Sequence, residues 1–261
     1  MRRYEPKSRH GVSQNQVVLL MAIRKVRFVS SDILVDILGK DRSTMYERLS
    51  VLVNQDYVVR MYDKTYRFKQ KPVRYYLSNK GIRYLRSIGV DRMELHYRNK
   101  KFTEEEIDVQ FLLYKLARAV LKPYEKYFVG LTKYEEGADT FFLSPPPYFK
   151  LVGKDETIPD HFIEYIEPFT ATWKIRKRIN QHVDHADEYA YRYPHLLLIA
   201  GNDSTEKRII RLTADLYADF AVFTATMERL LSGKKNVWLR PEEVDWDEEL
   251  ELCSLPLAFD E

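Results

Sequence analysis

Ser30-Ser31-Asp32-Ile33-Leu34-Val35-Asp36-Ile37-Leu38-Gly39-Lys40-Asp41-Arg42-Ser43-Thr44-Met45-Tyr46-Glu47-Arg48-Leu49-Ser50-Val51-Leu52 is the stretch that decides the fold. Ser30 or Ser31 is suited to cap a short helix whose Ile33, Leu34, Ile37 and Leu38 face inward, and Gly39 to end it with a positive φ. Asp41 then caps a longer helix running to about Asn54, with Met45, Leu49, Leu52 and Val53 on its buried side. Its first two turns carry Arg42, Ser43, Thr44, Tyr46, Glu47 and Arg48, groups able to hydrogen-bond and directed mainly outward.

Upstream of this pair, Val17, Leu20, Met21, Ile23 and Val26 recur mostly at three- and four-residue steps, which predicts an earlier helix from Ser13 to Val26. Downstream, Tyr57 to Met61 and Tyr66 to Phe68 read as a hairpin joined by Tyr62-Asp63-Lys64-Thr65. Val73 to Leu77 follows, and Ser78-Asn79-Lys80-Gly81 opens a further helix. Three helices, a hairpin and a helical exit resemble, in the order of their parts, the winged helix-turn-helix modules of many bacterial DNA-binding proteins. That resemblance implies that the start of the third helix enters the major groove, where Arg42, Ser43, Thr44, Tyr46 and Arg48 reach base edges or flanking phosphates. Arg60, Lys64, Arg67, Lys69, Lys71 and Arg74 would line the hairpin as phosphate contacts. The competing use of the same parts is a module that binds a protein or a second copy.

The charge distribution favours the polyanion. The first 101 residues hold 23 Lys and Arg against 9 Asp and Glu, whereas residues 102–261 hold 19 against 30, so the net charge of +3 conceals a basic half and an acidic one. Residues 58–74 contain six basic side chains and one acid, Asp63, where an ordinary surface intersperses the signs.

At 261 residues the chain is long enough for two cores. The predicted organisation is a DNA-binding domain over 1–90, an α/β domain over 103–241 and an acidic tail over 242–261. The single cysteine, Cys253, excludes an internal disulfide and a thiolate zinc site. With no signal-type apolar segment after Met1-Arg2-Arg3-Tyr4 and no apolar run approaching a membrane span, a cytoplasmic protein without a membrane partner is expected. No phosphate-cradling Gly-Lys-Ser/Thr loop, Gly-x-Ser-x-Gly elbow or His-x-His metal cradle occurs. His182 and His185 have a metal-like spacing, but on a helix rich in Lys, Asp and Glu they are expected to face solvent, with no third ligand nearby; no metal is assigned.

In the acidic half, Thr103 and Glu104-Glu105-Glu106 start a helix carried by Ile107, Phe111, Leu112, Ala119 and Val120 to Pro123. Strands are predicted over 126–134, 140–143, 148–152, 162–167, 195–200, 221–224 and 237–239, with helices over 171–191, 205–220 and 227–231. Ser144-Pro145-Pro146-Pro147 makes one of its two flanking strands an edge. The alternation implies an α/β unit with a partly parallel sheet, and His195 to Ala200 is apolar enough to be covered on both faces. The segment 242–251, with seven acids, reads as a solvated tail or a docking strip anchored by Trp246 and Leu250, and Tyr189, Tyr191 and Tyr193 read as packing residues.

A basic winged helix, a meander containing Pro159-Asp160, an acid-bearing strand, a long helix opening over Thr170 to Arg178 with Asn180-Gln181, and the late Val222-Phe223-Thr224-Ala225-Thr226 together resemble the replication-relaxation proteins of plasmids and conjugative elements. The resemblance spans most of the chain through short motifs. It implies a double-stranded DNA-binding accessory protein of replication or mobilisation, a relaxase, a replication protein or a second copy as partner, and a second domain shaped like a PD-(D/E)XK nuclease. Such a nuclease uses two acids to hold Mg²⁺ and a lysine to polarise water or phosphate. The candidates are Asp160, Glu164, Glu167 and Lys174, but neither glutamate has a lysine two places on, so an inactive platform without a cofactor is expected. The alternatives are a winged-helix transcriptional regulator and a Mg²⁺-dependent PD-(D/E)XK nuclease.

Overall fold

The computed structural model describes residues 12–68, 70–90, 94–133, 149–188, 192–214, 216, 218–245 and 251–257. The chain divides into two compact units, Met1–Phe111 and Leu112–Glu261. Both are mixed in secondary structure.

In the first unit, α1 (Gln14–Val26) buries Leu19, Leu20, Ala22, Ile23 and Val26. Helix α2 (Ser31–Leu38) is capped by the Ser30 side chain, which accepts from the Ile33 amide, and ends at Gly39 in the left-handed conformation at φ 60°. Asp41 caps α3 (Arg42–Asn54) by accepting from the Thr44 amide at 2.8 Å and the Thr44 hydroxyl at 2.5 Å, and these bonds hold its carboxyl below the usual range. The inner face of α3 carries Met45, Leu49 and Leu52, each fully enclosed, a burial that stabilises by about 2 kcal/mol per side chain.

Strand β1 (Val58–Met61) does not pair with 66–68. Its antiparallel partner is β2 (Arg74–Leu77), in the register Val58 to Leu77 through Met61 to Arg74, and Val29 forms a bridge on the other side of β2 at Tyr75. The expected second strand is instead a short helix, α4 (Lys64–Phe68). Asp63 starts it by accepting from the Thr65 amide and hydroxyl, and Tyr66 turns inward while Arg67 and Phe68 stay outside. Aromatic content suggested a strand; the local Asp63 turn and one buried ring decide for a helical turn. Helix α5 (Asn79–Ser87), capped by Ser78, packs Gly81 so tightly on the Tyr57 carbonyl that no β-carbon fits there.

Helix α6 (Glu104–Leu121) starts in a reciprocal cap between Thr103 and Glu106, and its residues up to Phe111 belong to the first unit. There Ile107 packs with Phe28 and Tyr76.

The second unit is a five-stranded sheet in the order β3 (Phe128–Lys133), β4 (Phe149–Gly153), β5 (His161–Ile166), β6 (His195–Ala200), β7 (Val222–Thr226). Strand β4 runs antiparallel to both neighbours, and β5, β6 and β7 are mutually parallel. Strand β4 is therefore internal; the strand expected over 140–143 and Ser144-Pro145-Pro146-Pro147 lie outside the described residues.

Helices α7 (Thr172–Asp187) and α8 (Asp203–Thr213) cross between the parallel strands. Ile175 and Ile179 of α7 and Ile209 of α8 cover Phe162, Leu196, Leu198 and Ala200 on one face of the sheet. Helix α8 ends seven residues earlier than expected: Leu216 turns back onto the Thr213 carbonyl and Phe220 goes into the core. Helix α9 (Met227–Leu231) follows β7. The expected strand over 237–239 is reduced to bridges from Leu239 to Thr224 and from Trp238 to Cys253.

Residues 251–257 are packed into this unit. Trp238 and Cys253 exchange backbone hydrogen bonds, and the buried Leu255 donates its amide to the Tyr124 hydroxyl at 3.1 Å. Trp246 and Leu250 lie outside the described residues. No helix among the described residues is long and apolar enough to cross a membrane.

Candidate nucleic-acid interface

The groups proposed for base and phosphate contact sort into two classes once their surroundings are known. On α3, Arg42, Ser43 and Tyr46 are exposed and Arg48 is half-buried. Arg42 is ion-paired with Asp32 of α2, and both side chains are more than half exposed, so the pair is open to exchange for another anion. Thr44 is committed to the Asp41 cap. On the hairpin, Arg60 lies 5.1 Å from the Tyr62 ring, and Arg60, Lys64 and Arg67 are exposed. Arg48, Arg60, Lys64 and Arg67 make no ion pair among the described residues. Arg60 of β1 is paired across the strands with the buried Tyr75 of β2. Lys69 lies outside the described residues.

Lys71 and Arg74 belong to the other class and are not free for phosphate. Arg74 is 0% exposed: it is ion-paired with Asp108, donates to the Glu104 carbonyl at 3.2 Å, and has the rings of Tyr66 and Phe111 at 5.2 and 5.8 Å. Lys71 is bound to Asp108 at 2.7 Å and Glu104 at 3.3 Å, which raises its pKa, chiefly through the bond to Asp108. These two cations tie the end of the hairpin to the first turns of α6. Conversely, Phe68, expected inside a strand, is 86% exposed beside Arg67.

The candidate catalytic set of the second unit is dispersed. Asp160 precedes β5 and is turned toward β4, bound by Lys150 at 2.9 Å and by the Gly153 amide at 2.9 Å. Glu164, four residues along, is covered by α7. It accepts from Arg178, and from His182 Nε2 at 3.0 Å. Burial alone would raise its pKa, but His182 and Arg178 outweigh that and hold the carboxyl below the usual range. Glu167 is exposed beyond the strand, and Lys174 is exposed 5.6 Å from the Trp173 ring. Four residues of extended chain span about 13 Å, whereas two carboxylates on one Mg²⁺ must bring oxygens within roughly 4 Å. This donor set does not fit the metal of a PD-(D/E)XK site.

The two histidines are core residues, contrary to the expected exposure. His182 is the next residue, after Ile175 and Ile179, on the inner stripe of α7, and both histidines are buried. The Tyr193 hydroxyl meets His182 Nδ1 at 2.9 Å and His185 Nδ1 at 3.0 Å. The chain of bonds is satisfied when His185 donates to the hydroxyl, the hydroxyl to His182 Nδ1, and His182 Nε2 to Glu164. Burial, the largest influence, keeps the His182 pKa low despite the neighbouring carboxylate. The 175/179/182 spacing was the available signal for this placement. Among the described residues, no group of three or more His, Cys, Asp or Glu side chains is arranged to hold a metal ion.

A second acid, Glu206 of α8, is also buried and is gripped by Arg229 at 2.5 and 2.9 Å, with its pKa raised by burial. No protein-family model, curated protein or solved structure matches this chain.

Proposed function

We propose that this chain is a double-stranded DNA-binding accessory protein of the replication-relaxation type, serving replication or mobilisation of a plasmid or conjugative element. The first unit grips duplex DNA as a winged helix. The second is a catalytically inactive platform that meets a second copy, a relaxase or a replication protein.

The observation that carries this reading is the division of the first unit's cations. Arg74 and Lys71 are consumed inside the unit, while Arg48, Arg60, Lys64 and Arg67, on α3 and the adjoining hairpin, have no acidic partner among the described residues. Excess positive charge on the outward faces of a helix and hairpin suits a phosphate backbone. The order α1, bridging Val29, α2, α3, β1 and β2 supports a winged helix, with Val29 in the place of its first short strand. In the second unit, a helix, three antiparallel strands and two helix–strand repeats, with only β4 running against the rest, support the likeness to PD-(D/E)XK nucleases in shape. The dispersal of Asp160, Glu164 and Lys174 supports its being inactive.

Gel-shift titrations of the full chain with duplex DNA test this. Four phosphates neutralised on B-DNA give a log–log salt slope of about −3.6, a loss of roughly 150-fold between about 50 and 200 mM salt. Replacing Arg48, Arg60, Lys64 and Arg67 by alanine should flatten that slope to near zero. A slope shallower than about −1 for the unaltered chain, or an unchanged slope for the variant, overturns the reading. Footprinting should place protection at a transfer or replication origin; protection confined to promoters would assign the same grip to transcriptional regulation.

A further inference from the structure

We infer that the second unit carries a separate binding face for single-stranded nucleic acid, with Phe169 and Trp173 as stacking platforms and Lys174, Arg176 and Lys177 as phosphate contacts. This face shares no residue with the surface assigned to duplex DNA.

Although the acidic half carries 19 cations against 30 acids, Thr170 to Ile179 holds four cations and no acid. Arg178 is committed to Glu164. Lys174, Arg176 and Lys177 are exposed and have no carboxylate partner among the described residues. Trp173, Arg176, Lys177 and Asn180 fall at i, i+3, i+4 and i+7, one stripe on the outer side of α7, and a surface groove follows them from Thr172 to Gln181 and the acid Asp184, with Lys174 and Phe169 flanking it rather than lining it.

The aromatic part is held in place. Phe169, 95% exposed, is the most exposed large apolar side chain among the described residues, and Trp173 is 64% exposed. On a loose loop an exposed phenylalanine would mean little. Here the Pro168 carbonyl accepts from the Thr205 hydroxyl at 2.8 Å and from Arg208 at 2.9 Å, and the Thr170 carbonyl accepts from Arg208 at 2.6 Å. Gly201 lies so close beneath Pro168 that an added β-carbon would stand 2.5 Å from its ring. Side chains of α8 thus pin both residues flanking Phe169, and a ligand stacking on that ring has little loop entropy to remove.

Cations tracking a phosphate backbone beside exposed aromatic faces are the chemistry that recognises unpaired bases. A duplex hides its base faces and would leave both rings unused. The acidic character of the rest of the unit opposes any polyanion only over about 10 Å at ordinary salt, so the local cluster governs.

The test is fluorescence anisotropy of the full chain with labelled fifteen-residue oligothymidine and with a duplex of equal length, at about 50 mM salt. Phe169 and Trp173 are exposed, so the F169A/W173A variant keeps its fold, as circular dichroism would verify. It should bind oligothymidine roughly thirtyfold more weakly while its duplex affinity stays within about twofold. The K174A/R176A/K177A variant should reduce the single-strand salt slope by about 2. R60A/R67A should do the reverse, weakening duplex binding alone, which keeps a failure here distinct from a failure of the first unit's assignment. No oligothymidine binding at 50 mM salt, or unchanged binding by F169A/W173A, overturns the inference. So does tighter binding of a fifteen-residue polyglutamate, which would assign the face to an acidic protein segment.

Discussion

Removing the acid from the Arg74–Asp108 pair should harm the first unit more than removing the base. Arg74 is fully enclosed whereas Asp108 is 43% exposed. In Asp108→Asn the guanidinium stays buried with an amide oxygen at position 108, the Glu104 carbonyl and two aromatic faces as partners, but without its compensating carboxylate charge. An uncompensated buried charge costs about 3–5 kcal/mol, and the solvent reaching position 108 places this case near 3. In Arg74→Met the buried charge disappears, an apolar chain of similar length fills the space under Tyr66 and Phe111, and Asp108 hydrates or turns to Lys71. The expected cost is about 1 kcal/mol or less. With a urea m-value of about 1.5 kcal/mol/M for a unit of this size, the midpoint should fall by about 2 M for D108N and by less than about 0.7 M for R74M. Circular dichroism of the full chain, with hydrogen exchange to assign the loss to the first unit, reads both. A midpoint for R74M as low as that for D108N would refute the reasoning. So would a selective loss of duplex affinity in a stable R74M protein, since that would return Arg74 to the phosphate contacts.

Acid should weaken the second unit from about pH 6.5 downward, through a buried histidine. Burial, with the neighbouring His195, depresses the His161 pKa from 6.5 to about 3, so the unfolded chain takes up the proton first. That contribution is complete above about pH 6.5 and is lost at about 1.4 kcal/mol per pH unit as pH falls toward 3. Urea midpoints at pH 7 and pH 5 should differ, and His161→Leu should shrink the difference; a flat profile in the unaltered chain defeats the claim. Tyr193→Phe removes one hydroxyl but leaves both His182 Nδ1 and His185 Nδ1 buried without it, for a loss of about 3 kcal/mol in urea unfolding. A loss under about 0.5 kcal/mol would show that the two rings find other partners. Supercoiled plasmid incubated with the full chain and Mg²⁺ should remain intact, as the dispersal of Asp160, Glu164 and Lys174 requires; nicking abolished by Asp160→Ala would restore the nuclease alternative.

What was legible in the residue order was whatever local chemistry determines. Helices α2 and α3 lie where their caps put them, because Ser30, Gly39 and Asp41 act within three or four residues of themselves. The strand His195–Ala200 stands where a run of apolar residues demands cover on both faces. What escaped was set by distant partners. Arg67 and Arg74 are alike in a count of charges, and only Asp108, thirty-four residues beyond Arg74, separates an outward cation from a buried one. His182 looked exposed because its sequence neighbours are polar, although its place relative to Ile175 and Ile179 put it inside. Lys174 stood out only as a nuclease candidate, and its neighbours at 176 and 177 were lost in the acidic average of their half, since a sum over 160 residues cannot register a local cluster on one helix.

The shared hydroxyl of Tyr193 constrains how this chain can diverge. Because one oxygen serves two imidazoles and the chain of donors ends on a carboxylate gripped by Arg178, a change at any one member takes a bond from its neighbour, so single-step drift is penalised and coordinated replacement is favoured. Kindred sequences too remote to align by overall similarity should therefore keep an acid, an arginine, a histidine and a tyrosine at offsets of 14, 4 and 11, or else show apolar residues at all four places together.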